Sequence, residues 1–384
     1  MIDTYCDPEW VCHPAVCAVG TNYHIILPVK SDMILWVVIG SQKFYDESNG
    51  VLRSAVRVHR VIVPMNVLDA AESYTVVYRK SIDRKPYFPK MGEPVAHEYS
   101  FRPVKKRENI HIYQLADTHG IVAESVAAAQ YFGDALDLLI LNGDIANHSG
   151  SIEHICLAYQ IASIVTGGQI PVIFSRGNHD LRGAYAENLA EYTPNENGKS
   201  YYDFRVGCIW GYLLDCAEDK RDNHPEYGGT ICCEPFRVRE TADFCGKIAD
   251  SSHTYAAPGV DYRLIISHIP FTHISDEEDS FGNRPFGIEV ERYSQWAKVL
   301  RDTVHPQLIL CGHVHEYFIS MPGSEYDDIG QPCPVLVGSK PQHNADGSAY
   351  FVGMAITLNP KTAEICFTDS NGETLQRQVL QISE

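Results

Sequence analysis

The sequence predicts a chain in two parts, an all-β sandwich over residues 1–104 and an α/β domain over residues 105–384. Two observations predict this division. Ahead of residue 104, short apolar stretches bounded by turn residues recur with no helical period. After residue 109, strand-like apolar runs alternate with segments of helical periodicity, the pattern of a largely parallel central sheet. A third observation bears on function: five of the later apolar runs each lead into Asp, His or Asn.

In the first part the apolar stretches are residues 16–20, 24–29, 33–39, 56–63 and 73–80, punctuated by Asn22, residues 46–50 and Pro64. In Tyr74-Thr75-Val76-Val77-Tyr78-Arg79, β-branched and aromatic residues crowd a run too short for a helix. Leu68 followed by Tyr74 resembles the tyrosine corner of fibronectin-type-III domains; plain strand packing of Tyr74 is the alternative. A charged, proline-bearing stretch over residues 101–108 reads as the linker. Its Lys105-Lys106-Arg107 run lacks interleaved aromatics and reads as solvated.

In the second part residues 110–115 form a strand candidate, followed by a helix over 123–132, a strand at 138–141 and a helix over 152–165. Further strands are expected at 170–174, 262–266 and 308–311. Residues 335–337, 351–358 and 363–367 return to short strands that extend or face the central sheet.

Composition excludes several function classes. The chain of 384 residues holds 31 Lys plus Arg against 49 Asp plus Glu, a net charge of -18. That balance argues against DNA, RNA or an anionic membrane held by a broad basic face. Acidic substrates remain open, because bound cations invert the local field. No apolar run approaches the roughly 20 residues of a membrane span. The first residues lack the basic and apolar regions of a signal peptide. Twelve cysteines without a C-x-x-C pair suit reduced thiols in the cytoplasm, and structural zinc on thiolates is not expected.

The five strand ends carry the chemistry. Residues 110–116 run into Asp117-Thr118-His119, and residues 138–141 into Asn142-Gly143-Asp144. Residues 170–174 run into Ser175-Arg176-Gly177-Asn178-His179-Asp180, residues 262–266 into Ser267-His268, and residues 308–311 into Gly312-His313-Val314-His315. Sites in open α/β sheets form outside the carboxyl ends of the strands, so these groups are expected in one crevice. Imidazole with carboxylate suits Mn, Fe, Zn, Co or Ni better than Ca or Mg. Seven candidate ligands are too many for one ion and suit two ions sharing a carboxylate. An extended D-x-H or H-x-H segment is expected to send both side chains to one side. The glycines beside Asp144, Asn178 and His313 permit close approach of backbone to a ligand.

The ordered set D-x-H, G-D, G-N-H-D, S-H and G-H-x-H between residues 117 and 315 resembles the calcineurin-like metallophosphoesterase superfamily. The resemblance implies a four-layer α/β/β/α sandwich, and the preceding β-sandwich is similar to the purple acid phosphatase architecture. It implies one divalent ion on Asp117, His119, Asp144 and His315. It implies a second on Asp144, Asn178, His268 and His313, with Mn, Fe or Zn as the metals. His179 matches the family's catalytic histidine, and Arg176 matches an arginine that contacts substrate phosphate. Asn147 stands where purple acid phosphatases carry a tyrosine and phosphoprotein phosphatases an aspartate.

The expected activity is hydrolysis of a small phosphomonoester or phosphodiester by a hydroxide shared between the two ions. Asn178 and Arg176 would stabilise phosphate oxygens, and His179 would protonate the leaving group. A nucleic-acid or cyclic-nucleotide phosphodiesterase is the alternative enzyme, and a metal-binding scaffold that docks a partner is the alternative of another class. Asp180 is expected in a cap or surface role more than in orienting His179. His148 and His273 read as satisfied loop histidines, Trp210 and Tyr212 as core, and Cys232-Cys233 as incidental. Asp276-Glu277-Glu278-Asp279 and Asp219-Lys220-Arg221-Asp222 read as solvated loops. The long connection over residues 181–262 is expected to build the substrate wall.

Overall fold

The computed structural model describes residues 6–274, 289–344 and 346–382, so the acidic run at 276–279 lies outside the described residues. Strand Ile110–Leu115 forms over the expected residues, and Ile112, Tyr113 and Leu115 are fully buried. A buried parallel strand needs apolar side chains on both faces, which is why Leu138-Leu139-Ile140-Leu141 reads as continuous. Ile110–Leu115 is broken by half-buried His111 and by buried Gln114, whose amide donates to the carbonyls of Cys311 and Gly338. Helix Ile152–Thr166 starts at Ser151, whose side chain accepts from the His154 N–H, and stops at Gly167 in left-handed conformation.

Ten strands make the principal sheet. Its path runs through Thr374–Gln381, Thr362–Asp369, Ala349–Asn359, Ile110–Leu115, Leu138–Asn142, Pro171–Ser175, Ala15–Val19, Asn22–Pro28 and Val58–Pro64, with Lys340–His343 beside Ala349–Asn359. A second sheet of six strands runs Asp203–Val206, Ile209–Leu213, Tyr262–Ile266, Leu308–Cys311, Val335–Val337 and Phe318–Ser320. Three hydrophobic cores separate the layers. Ile112, Ile140 and Ile173 of the first sheet pack against Leu264, Leu308 and Leu310 of the second. Helices Val122–Ala129 and Ile152–Thr166 cover the outer face of the ten-stranded sheet, with Tyr159 and Ile161 among the buried contacts. Helices Cys233–Ala249 and Val290–Val299 cover the six-stranded sheet through Phe244 and Trp296. The order is helix, sheet, sheet, helix.

The connection over residues 181–262 does more than line a wall. It supplies strands Asp203–Val206 and Ile209–Leu213, with Trp210 and Tyr212 in the core, and the covering helix Cys233–Ala249.

The described residues ahead of 104 form a β-sandwich that shares a sheet with the rest. One layer is Val95–Ser100, Ser73–Asp83, Met33–Ile39 and Gln42–Tyr45. The other is Ala15–Val19, Asn22–Pro28 and Val58–Pro64, and Ala15–Val19 pairs in parallel with Pro171–Ser175 through Val16↔Pro171 and Cys17↔Val172. Main-chain hydrogen bonding therefore crosses the boundary expected at residue 104. Met33, Leu35, Val61 and Val76 belong to the same core as Ile112 and Leu264.

Tyr74 shows the coupling. Its hydroxyl donates 2.8 Å to the carbonyl of Gly168, in the turn that leads into Pro171–Ser175. A tyrosine corner bonds to backbone a few residues upstream; this one reaches 94 residues along the chain. Tyr74→Phe leaves a buried carbonyl without that donor. It is expected to lower unfolding stability by about 1 to 3 kcal/mol, measured as a fall in the denaturant midpoint at constant slope.

Candidate metal centre

The five strand ends converge where expected, from two sheets rather than one. Strands Ile110–Leu115, Leu138–Asn142 and Pro171–Ser175 deliver Asp117, His119, Asp144, Asn178 and His179. In the facing sheet, strands Tyr262–Ile266 and Leu308–Cys311 deliver His268, His313 and His315.

The D-x-H and H-x-H segments are not extended. Asp117, His119, Asp144, His313 and His315 all have positive φ, between 45° and 69°. Left-handed backbone at non-glycine residues costs about 1 kcal/mol or more each, and persists where surrounding bonds over-determine it. Here the Asp117 N–H donates 3.0 Å to the Gly143 carbonyl and the His119 N–H 3.0 Å to the Asp144 carbonyl. The glycines are sterically required: a Cβ on Gly177 would lie 2.1 Å from Asp144 Oδ1, and one on Gly312 2.6 Å from Asp117 Oδ2.

Each buried carboxylate divides its oxygens. Asp144 Oδ1 accepts from the His179 N–H at 2.9 Å, and Asp117 Oδ2 from the His313 N–H at 2.8 Å. The other oxygens face histidines: Asp144 Oδ2 lies 3.3 Å from His268 Nε2, and Asp117 Oδ1 lies 3.6 Å from the same nitrogen and 3.5 Å from His315 Nε2. His268 Nδ1 sits 2.7 Å from the Asn142 carbonyl, which only accepts, so Nδ1 carries a proton and Nε2 is the atom turned inward. His119 Nε2 and His315 Nε2 face each other at 2.9 Å. His268 Nε2 and Asp117 Oδ1 are buried with no hydrogen-bond partner.

Asn178 fits the same pattern. Its Oδ1 lies 2.9 Å from His313 Nδ1 and 3.1 Å from Asp144 Oδ2, acceptor facing acceptor. Turning the amide over would satisfy these atoms without a cation, whereas with the oxygen inward Asn178 would be a ligand to one. Three groups have ligand atoms close enough to share an ion: Asp117, His119 and His315; His119, Asp144 and His179; and Asp144, His268 and His313. The donor set, imidazole with carboxylate and one amide, fits transition-metal ions.

The electrostatics agree. Burial opposes a charge on His268, yet Asp144 and Asp117 outweigh it and hold the imidazole up to about 10, so their field favours a positive charge at Nε2. Burial pushes His119 down to about 4, against the pull of the same two carboxylates, which leaves it neutral. Burial also acts on Asp144, but His268 and its neighbours keep the carboxyl below its ordinary range.

His179 is oriented by backbone. Its Nδ1 lies 2.8 Å from the Asn147 carbonyl, so the main chain of residue 147 does what a carboxylate there would do. Asp180 takes no part in this: its Oδ2 accepts from the Gly177 N–H at 2.7 Å and the Asp144 N–H at 3.3 Å, bracing the loop. Burial and the Asp144 charge push Asp180 up to about 7. Arg176 has partners of its own beside the centre. Its guanidinium pairs with Asp215 and lies 5.1 Å over the Phe236 ring.

Three residues beside the centre were not read from the sequence as site residues. Arg182 Nη1 is 3.2 Å from His179 Nε2, and Arg182 Nε donates 3.0 Å to Glu218. Asp219 Oδ2 is 3.4 Å from His313 Nε2, so Asp219 is no solvated loop residue. Glu218 is fully buried and accepts from the Tyr227 hydroxyl at 3.1 Å. The apolar context of residues 213–217 was the available signal. His148 is satisfied within its loop by the Gly150 N–H, and His273 by Asp328 of another connection, 55 residues along the chain.

The profile of the calcineurin-like phosphoesterases matches residues 110–317, and the chain belongs to that family. Among solved structures it is similar to a purple acid phosphatase from yellow lupin (Lupinus luteus) seeds, at TM-score 0.55 and 11% identity over 96% of this chain and 74% of that one. It is also similar to PhoD, at TM-score 0.52 and 10% identity over 98% of this chain and 90% of that one. Comparison with curated protein sequences finds no match. The chain is a metal-dependent phosphoester hydrolase with a mixed α/β sandwich and an N-terminal β-sandwich. No described helix is long and apolar enough to cross a membrane.

Gly177→Ala drives a methyl group against Asp144 Oδ1. Purified variant is expected to carry less metal than the parent chain by elemental analysis while still melting cooperatively.

Proposed function

We propose that this chain hydrolyses a small phosphate ester at a two-ion centre, with Asp144 shared between the ions. The observation that carries the proposal is the convergence of carboxylate, amide and imidazole ligand atoms on one another at Asp117, Asp144, Asn178, His268 and His313. Asp117, His119, Asp144 and His315 would hold one divalent ion, and Asp144, Asn178, His268 and His313 the other. When bound, such ions lower the pKa of water and neutralise phosphate charge.

The chain's own groups supply the rest. Arg182 stands at His179 Nε2, where a phosphate oxygen competes for its guanidinium and forms charge-assisted hydrogen bonds. That exchange frees Nε2 of His179 to carry a proton to the leaving oxygen, with Nδ1 held by the Asn147 carbonyl. Asp219 orients His313 through Nε2. Residues 1–104 and 105–384 are the proposed units, joined by the shared sheet. The free state of all twelve cysteines supports a reducing compartment, in line with a cytoplasmic location. The net charge of -18 disfavours nucleic acid as substrate.

A panel of phosphate esters assayed with Mn, Fe and Zn tests the activity; absence of turnover with every metal would sink it. Asp144→Asn is expected to lose metal from both positions, and elemental analysis showing two ions retained would refute the shared role. His179→Ala is expected to keep its metal content and to lose about 10²- to 10⁴-fold in rate on alkyl esters. Nitrophenyl esters, whose phenolate leaves unprotonated, are expected to lose far less. The check is the slope of log rate against leaving-group pKa, steeper in the variant.

A further inference from the structure

A cavity of about 930 Å³ adjoins the metal centre, and Arg182 and Glu218 belong to its wall. Ligand pockets for organic molecules span about 300 to 1,000 Å³, so this one exceeds the needs of a phosphate group with a small alkyl substituent. Leu181, Ala186, Leu189, Ile231 and Phe236 give it an apolar lining. Charges in its wall are already matched: largely buried Arg176 pairs with Asp215, and half-buried Arg182 with buried Glu218. Arg239, Glu187 and Glu226, which also line it, are exposed, and Glu226 lies 3.8 Å from Arg182. Its charged groups are paired or exposed, and the apolar side chains are what its interior offers a substrate.

Its position relative to His179 gives it a role. Arg182 Nη1 lies 3.2 Å from His179 Nε2, so a leaving oxygen protonated there sits beside the cavity wall. We infer that the cavity receives the alcohol portion of the substrate, and that the preferred esters carry a bulky, largely apolar alcohol of two or more rings. The inference rests on the phosphoesterase mechanism proposed above.

Phenyl, 2-naphthyl and 4-biphenylyl phosphates test it, because their phenols leave with similar ease and differ mainly in size. For the metal-loaded chain, kcat/KM is expected to rise about tenfold from the phenyl to the biphenylyl ester, as for added apolar groups in a fitting pocket. Ala186→Phe and Ala184→Phe, which narrow the cavity, are expected to abolish that preference with metal content unchanged. Binding of 4-biphenylylphosphonate, measured by calorimetry, is expected to weaken in the same variants. Equal kcat/KM across the three esters, or a preference that both variants leave intact, would overturn the inference. No turnover of any ester with any metal would instead overturn the phosphoesterase mechanism itself.

Discussion

Two carboxylates with almost no solvent exposure, Asp117 and Asp144, set the terms for the structure around them. Burying an ionised carboxylate costs several kcal/mol unless charge and hydrogen bonds compensate. Each uses one oxygen to accept a backbone N–H from a neighbouring ligand loop, from His313 in one case and His179 in the other. Those bonds tie loops from different strands together and leave the second oxygens directed inward. The inward oxygens meet histidine nitrogens and the Asn178 amide, a donor set that would hold divalent cations. Asp180 adds a brace behind Asp144 by collecting two backbone donors.

The two-sheet architecture follows from the same demand. Ligands come from the carboxyl ends of strands in both sheets, and the core between the sheets fixes their separation. The N-terminal sandwich contributes to that rigidity, because Ala15–Val19 extends the ten-stranded sheet beside Pro171–Ser175, the strand that leads to Asn178 and His179. Tyr74 secures the turn ahead of that strand. The sandwich is thus a structural neighbour of the catalytic loops.

Behind the centre lies a buried polar support. Asp215 accepts from Ser200 and Arg176, and its N–H donates 2.7 Å to Glu240. Arg237 donates to the carbonyls of Cys216 and Glu218, across Ala217 at a φ of 60°. Burial and the Asp215 charge push the Glu240 carboxyl well above its ordinary range. The network presents Glu218 and Asp219 to Arg182, Asn178 and His313.

The strands at 138–141, 170–174, 262–266 and 308–311 were legible because a buried parallel strand is continuously apolar, and Asp, His and Asn at its end stand out against that background, whereas helices Cys233–Ala249 and Val290–Val299 were not read. Asp117, His119, Asp144, Asn178, His179, His268, His313 and His315 were legible for that reason. Arg182, Glu218 and Asp219 were not, since they lie in connections without periodicity and their roles arise from distant contacts, as between Arg182 and Glu218 across 36 residues. Arg176 shows the converse: a motif position cannot report that Asp215, brought in by another strand, takes its guanidinium. Local pattern determined which groups gather at the strand ends. Tertiary packing decided their partners, the left-handed backbone that aims them and the sheet that joins the two halves, because these depend on long-range pairing that no local period encodes.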